Sequence, residues 1–227
     1  MSQAASRFVE LSAGIPGWPV AFQGIDALPA RLRAEGNLQL LLPPAVAVVG
    51  SRRCTATGRE NARRVSRGVV AAGGVVVSGL AAGIDAEAHV AAGGRTIAVL
   101  GQGISSPMAR WQQILRDQLL QAGGLVLSEF PDDAPGADWT FPRRNRVIAA
   151  LSRAVVVVEA ASRSGSKITA QHAVEIGRDV WAVPGPPDGV NCAGCLDLIE
   201  QGAAVVRSVD EVGRLVLGDG GGALHPR

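Results

Sequence analysis

Seven short apolar runs recur along this chain: Ala45–Val49, Gly74–Ser78, Thr96–Leu100, Gly124–Ser128, Val155–Glu159, Val180–Val183 and Ala203–Val206. Between most of them lie stretches of helical pattern, each of about 10–20 residues. The runs are apolar throughout instead of alternating with polar residues. A strand of that kind must be buried on both faces, which is the condition of a parallel sheet covered by crossover helices. Right-handed crossovers then put helices on both sides. The predicted class is therefore α/β: a doubly wound, mostly parallel sheet of the extended Rossmann-like kind. A hydrophobic content of 47% supports a core of that size.

One of the intervening helices is explicit. Within Arg59–Ala72, residues Ala62, Val65, Val69 and Ala72 fall on one face. Arg59, Arg63 and Arg67 form an i, i+4, i+8 stripe on another. Before the first strand the pattern is weaker. Residues 1–16 have no clear period and read as a loose start, and 17–42 read as helical, with Leu28, Leu32 and the Leu38–Leu42 run around Gly36. The expected organisation is a lead-in and helical segment over 1–42, one Rossmann-like domain over 43–217, and a flexible glycine-rich tail over 218–227. No internal repeat is visible.

Several classes are disfavoured at once. No apolar run approaches the roughly 20 residues of a membrane span. The first residues lack the charged-then-apolar pattern of a secretory signal. Three cysteines, Cys54, Cys192 and Cys195, form a small odd set that fits reduced thiols and a cytoplasmic home. The formal net charge of +2 does not itself argue for nucleic acid, but all the basic residues except Lys167 are arginine. Arginine is the side chain whose planar fork best fits phosphate.

In sheets of this class, ligands bind beyond the carboxyl ends of the strands. The residues there are Gly50-Ser51-Arg52, Ser78-Gly79, Gly101-Gln102-Gly103, Ser128-Glu129-Phe130-Pro131, Glu159-Ala160 and Pro184-Gly185. Glycine, serine and arginine dominate, and glycine lets backbone N–H groups approach an anion. Arg52 is well placed to grip phosphate. Gly50-Ser51-Arg52 does not have the GxGxxG spacing of a dinucleotide fingerprint. Phe141-Pro142-Arg143-Arg144-Asn145-Arg146 offers three arginines and an amide beside an aromatic ring, a candidate phosphate clamp with a base-stacking neighbour. Arginine at a helix start opposes the helix dipole, which points to function.

Ser162–Ala170 reads as an anion-binding loop entering a helix, with Gly165, Ser166 and Lys167 as its candidate contacts. It is not a Walker loop, because Lys167 is followed by Ile168 and the preceding glycine is missing. Glu159, just before it, could take a ribose or accept hydrogen bonds from loop amides. Ser78, Asp85 and His89 suggest a triad, but the GxSxG elbow is absent and Asp–His pairs on helices are common structural contacts. Cys192-x-x-Cys195 has the spacing of half a zinc site, yet the remaining candidates (Cys54, His89, His172 and His225) are scattered. No metal, cofactor or catalytic residue is expected.

Eight segments in order resemble the DprA/Smf family: VVGSRRCTATG, VVSGLAAGIDAEAH, TIAVLGQG, LSEFP, FPRRNRVIAALS, VVVEAASRSGSKITA, AVPG and LIEQGA. The preceding GWPVAFQGIDALPARLRAEGNLQLL is similar as well, with Trp18 where tyrosine is usual. The resemblance covers about residues 17–215. It implies an extended Rossmann domain that binds single-stranded DNA, protects incoming strands in natural transformation, helps load a RecA-type recombinase and commonly forms a homodimer. It implies no established enzyme activity. By the same likeness Arg52 is the DNA-contacting arginine, and Phe141 through Arg146 the second contacting cluster. Three positions depart from the pattern: Ser106-Pro107 where Tyr-Pro is usual, Lys167 for a usual leucine, and Leu196 for a usual asparagine. The helical and winged-helix domains that many members add at the two ends are not seen, so a minimal version is expected, for example in a plasmid- or phage-linked role.

Two other classes compete with this reading. One is a nucleotide or ribosyl-phosphate hydrolase of the lysine-decarboxylase-like type, whose PGGxGTxxE signature is missing. The other is a nicotinamide dehydrogenase, disfavoured by the absent GxGxxG. Arg52, the Arg143–Arg146 cluster and Lys167 are expected to share one cationic pocket.

Overall fold

A computed structural model describes residues 8–217. The strands are β1 (Val9–Ser12), β2 (Arg31–Gly36), β3 (Ala45–Val49), β4 (Val75–Ser78), β5 (Thr96–Leu100), β6 (Leu125–Ser128), β7 (Ala154–Val157), β8 (Asp179–Ala182) and β9 (Ala204–Val205). The helices are α1 (Ala56–Ala71), α2 (Ile84–Ala92), α3 (Arg110–Gln121), α4 (Thr140–Leu151), α5 (Gly165–Glu175), α6 (Ala193–Glu200) and α7 (Val209–Leu217). All nine strands form one sheet in the order β1-β2-β6-β5-β4-β3-β7-β8-β9. The seven strands from β3 onward are parallel, and β2, antiparallel to both β1 and β6, alone runs against the rest.

Both faces of the parallel region are dry, as continuous apolar runs require. Val46, Val48, Val76 and Val156 pack under α1, α2 and α7, and Ala98 and Val126 continue that face under α3. Ala47, Val77, Ile97, Val99, Val155 and Val157 point the other way, to α4, α5 and α6. Helix α1 is seated by Ala62, Val65 and Val69, all but fully buried. The mostly parallel, doubly wound α/β class is the one expected, and so are the seven parallel strands to within a residue or two at their ends.

The opening segment departs from the helical expectation. Residues 31–36 are a strand and part of the supposedly loose start is its partner β1, while only short 3-10 turns interrupt Val20–Phe22 and Leu38–Leu41. The reason lies in Arg31-Leu32-Arg33-Ala34-Glu35. Leu32 and Ala34 are buried in the core while the charged residues between them face outward, which is the period of a strand. Non-local ion pairs cover that polar face: Arg33 with Asp132, and Arg116 with Glu35. The expected tail over 218–227 lies outside the described residues. No helix among the described residues is long and apolar enough to cross a membrane.

The first parallel strand, β3, sits in mid-sheet, with β4 on one side and β7 on the other. Strand order reverses there. The loops leaving β3 and β7 therefore diverge to opposite faces and leave a crevice between them, the position where ligands bind in this class of sheet.

Candidate nucleic-acid interface

The crevice is a cleft of about 470 Å³. Gly50, Ser51 and Arg52 from β3 form one wall, and Ala161, Ser164, Gly165 and Ser166 from beyond β7 form another. Asp138, Phe141, Pro142, Arg144 and Asn145 close it from the start of α4.

The β3 loop is held on all sides. Ser51 N–H donates to the Glu159 carbonyl at 2.7 Å, and Ser51 O accepts from Ile84 N–H at 3.2 Å. A side chain on Gly50 would come within 2.7 Å of Ile84 Cγ1 and 2.8 Å of the Glu159 carbonyl oxygen. Gly83, at φ +80°, presses on the Ser51 carbonyl, which a Cβ would meet at 2.3 Å. Arg52 itself is exposed, and its guanidinium lies 5.7 Å from the centroid of the Phe141 ring. A weakly hydrated cation on an aromatic face keeps its N–H edges open to an anion.

The motif arginines after Phe141 are split by helix geometry. Arg143 is 55% exposed, 6.0 Å from the Trp139 ring centroid and 3.4 Å from the Glu129 carboxylate. Arg144 is buried in the cleft floor, donating to the carbonyls of Gly79, at 2.8 Å, and Val99. Burial lowers its pKa to about 10 while the Asp85 carboxylate opposes the fall. Arg146 is bonded to the buried carboxylate of Glu129. The guanidinium groups of Arg144 and Arg146 are thus both engaged within the fold, and of the two only Arg144 lines the cleft. Asn145 ties α4 to the loop before α5 through Nδ2, which donates to the Gly165 carbonyl at 3.2 Å.

In that loop Ser164 caps α5, and its hydroxyl lies 2.8 Å from that of Ser166. Gly165 has open space where a side chain would stand. Lys167 does not line the cleft. Its ammonium is 2.7 Å from Asp197 on α6, which neutralises it. The expected single pocket of Arg52, the arginine cluster and Lys167 is therefore reduced to Arg52 and the partly buried floor.

The other sequence candidates resolve into supports. Glu159 accepts from Thr55 N–H at 2.9 Å and Thr55 Oγ1 at 2.5 Å, holding the start of α1. Ser78 Oγ donates to the Val48 carbonyl at 2.7 Å, and Asp85 accepts from Gly79 N–H at 3.0 Å. His89 Nε2 accepts from Leu80 N–H at 3.3 Å, and Nδ1 lies 2.7 Å from Thr96 Oγ1, which donates to the Val76 carbonyl. These bonds brace Leu80, a non-glycine residue at φ +54°. Cys192 and Cys195 open α6 as free, buried thiols, and burial pushes Cys195 up to about 12.

His89 yields a pH prediction. Burial first, and Arg144 second, lower its pKa from 6.5 to about 3. The unfolded chain takes up a proton below 6.5 that the folded chain refuses, so this residue's contribution is intact above that pH and is lost as pH falls toward 3. The slope is about 1.4 kcal/mol per pH unit. Urea midpoints of the parent protein should drop between pH 6 and 4 more steeply than those of His89→Gln. Parallel curves would contradict the buried neutral imidazole.

Position and chemistry define the class: a Rossmann-like protein with an arginine-bearing cleft at the strand-order switch, walled by glycine loops and an arginine lying over phenylalanine. The family model for DNA recombination-mediator protein A matches residues 11–216, and the chain belongs to that family. Protein Smf of Escherichia coli is 44% identical over 187 residues, 81% of this chain and 50% of that protein. The chain thus spans about half the length of that curated relative. The X-ray structure of DNA processing protein A from Streptococcus pneumoniae superposes with a TM-score of 0.84 at 42% identity, covering 94% of this chain and 75% of that one. The Helicobacter pylori protein, described for its single-stranded DNA binding mode, gives 0.85 at 27% identity, covering 94% and 97%.

Proposed function

We propose that this chain binds single-stranded DNA in the β3–β7 cleft and acts as a DprA/Smf-type mediator of transformation or recombination. The observation that carries this reading is Arg52: exposed, fixed by a packed glycine loop, and laid on Phe141. A phosphate held by the guanidinium leaves the adjoining base free to stack on an aromatic neighbour. Duplex DNA offers no unstacked base to such a site. Work in the cytoplasm, as a homodimer and as a partner of a RecA-type recombinase, belongs to the same proposal. Its mode is binding, without turnover of nucleotides, NAD or ATP. The hydrolase reading has lost its acidic residue, since the Glu159 carboxylate is occupied by Thr55.

The test is a fluorescence-anisotropy titration with a single-stranded oligonucleotide and the matching duplex across a salt series. Tighter binding of the single strand is expected, with log affinity falling by about 0.7 per phosphate contact for each decade of salt. Equal affinity for the duplex, or a flat salt response, would refute the reading.

A further inference from the structure

We propose that Trp139 is a second base-stacking platform, outside the cleft, on which a bound single strand continues past α4. The inference rests on the proposed single-strand binding and extends its footprint. Trp139 is 62% exposed although it is one of the largest apolar side chains in the protein. Tryptophan is enriched at interfaces, where its ring offers a large apolar face beside polar groups.

The ring is fixed in place. It makes a T-shaped contact with buried Phe130 at a centroid distance of 6.1 Å and an interplanar angle of 76°. Its backbone belongs to a turn locked by Thr140, whose hydroxyl accepts from Ala137 N–H at 2.9 Å and donates to the Ala137 carbonyl at 2.8 Å. A preorganised aromatic face loses little entropy when a base lands on it.

Beside it stands a cation with the right reach. Arg143, one helical turn on, is 6.0 Å from the ring centroid and mostly exposed. Arg52 and Phe141 form the same kind of pair inside the cleft, at 5.7 Å. Two arginine–aromatic pairs thus flank the amino end of α4. Asp138 and Pro142, from the same turn, line the cleft. A strand leaving the cleft across this turn can meet Arg143 with a phosphate and Trp139 with the following base. Stacking requires only a π-face, so the platform accepts any unpaired base.

The experiment compares the parent with Trp139→Ala, Trp139→Phe and Arg52→Ala on a trithymidylate, a dodecathymidylate and a dodecamer whose sugars carry no bases. Trp139→Ala is expected to weaken the dodecathymidylate about tenfold and the trinucleotide less than about twofold. Trp139→Phe should recover most of that loss, and the parent's tryptophan quenching on binding should shrink in this variant. The base-free dodecamer should not distinguish Trp139→Ala from the parent. Circular dichroism checks folding. If Trp139→Ala binds the dodecathymidylate like the parent, or loses the same factor on the base-free strand, the platform is wrong. Loss of binding in Arg52→Ala alone would then leave the cleft reading standing. Parent-like binding by Arg52→Ala would instead overturn the cleft reading itself.

Discussion

Arg52→Ala is expected to weaken single-strand binding by about tenfold to a hundredfold, the range of a charge-assisted hydrogen-bonded contact. The backbone beneath it is what makes the loss large. Glu159 O, Ile84 and Gly83 hold the Gly50–Arg52 turn on three sides, so the guanidinium is presented without first being ordered. Arg52 rests against an aromatic ring, while Arg143, Arg146 and Lys167 each lie beside a carboxylate. It is therefore the cation of this group whose charge is least compensated. Its removal should also lower the salt slope by about 0.7. Lys167→Ala is the contrasting variant: its charge already meets Asp197, so a change under about twofold is expected. Isothermal titration of both proteins, with circular dichroism to show each folded, checks the pair. Equal losses would mean that the ammonium leaves Asp197 for the DNA.

Much of the architecture is legible in the sequence. Continuous apolar runs dictate a sheet buried on both faces, and the strand-end rule points to Gly50, Ser51 and Arg52. The rest was hidden, for different reasons. Leu28 and Leu32, four apart, imitate a helix face, while the alternation in Arg31–Glu35 is too short to outvote them. What stabilises that strand is non-local, since its outward charges meet Asp132 and Arg116 from elsewhere in the chain. The arginine cluster misled in another way. Residue types reveal a chemistry but not the direction in which each side chain leaves a helix. The signal was available: Arg144 shares the face of Val147, Ile148 and Leu151, three, four and seven residues on, all of them buried. Arg143 leaves α4 toward solvent. Trp139 carried no pattern at all, because its importance lies in exposure, which no single sequence position announces. Lys167 is paired within the fold for the plainest reason: Asp197 follows thirty residues later and reaches its ammonium.

Arg144→Ala should lose DNA binding for a different cause, by destabilising the fold by about 3–5 kcal/mol, the cost of leaving two buried carbonyls without their donor and a nearby buried carboxyl without its cation. The guanidinium lies against Gly79 so closely that a side chain there would meet Arg144 Nη2 at 2.5 Å, which explains glycine at that position. It satisfies the carbonyls of Gly79 and Val99, the ends of β4 and β5. It also faces Asp85, whose pKa burial raises and Arg144 holds down. Without the guanidinium, Asp85 is left buried beside two carbonyls that have lost this donor. A carboxyl raised further above its unfolded value favours folding only while protonated, so the damage should be smallest at low pH and grow as pH rises above the ordinary carboxylate range. Thermal denaturation should show a fall of about 10 °C at pH 7, and Asp85→Asn in the same chain should recover part of it. Arg143→Ala, removing an exposed side chain, should shift the midpoint by no more than about 2 °C. If Arg144→Ala instead melts with the parent and still fails to bind, Arg144 contacts DNA directly, and the cleft floor is part of the reading surface.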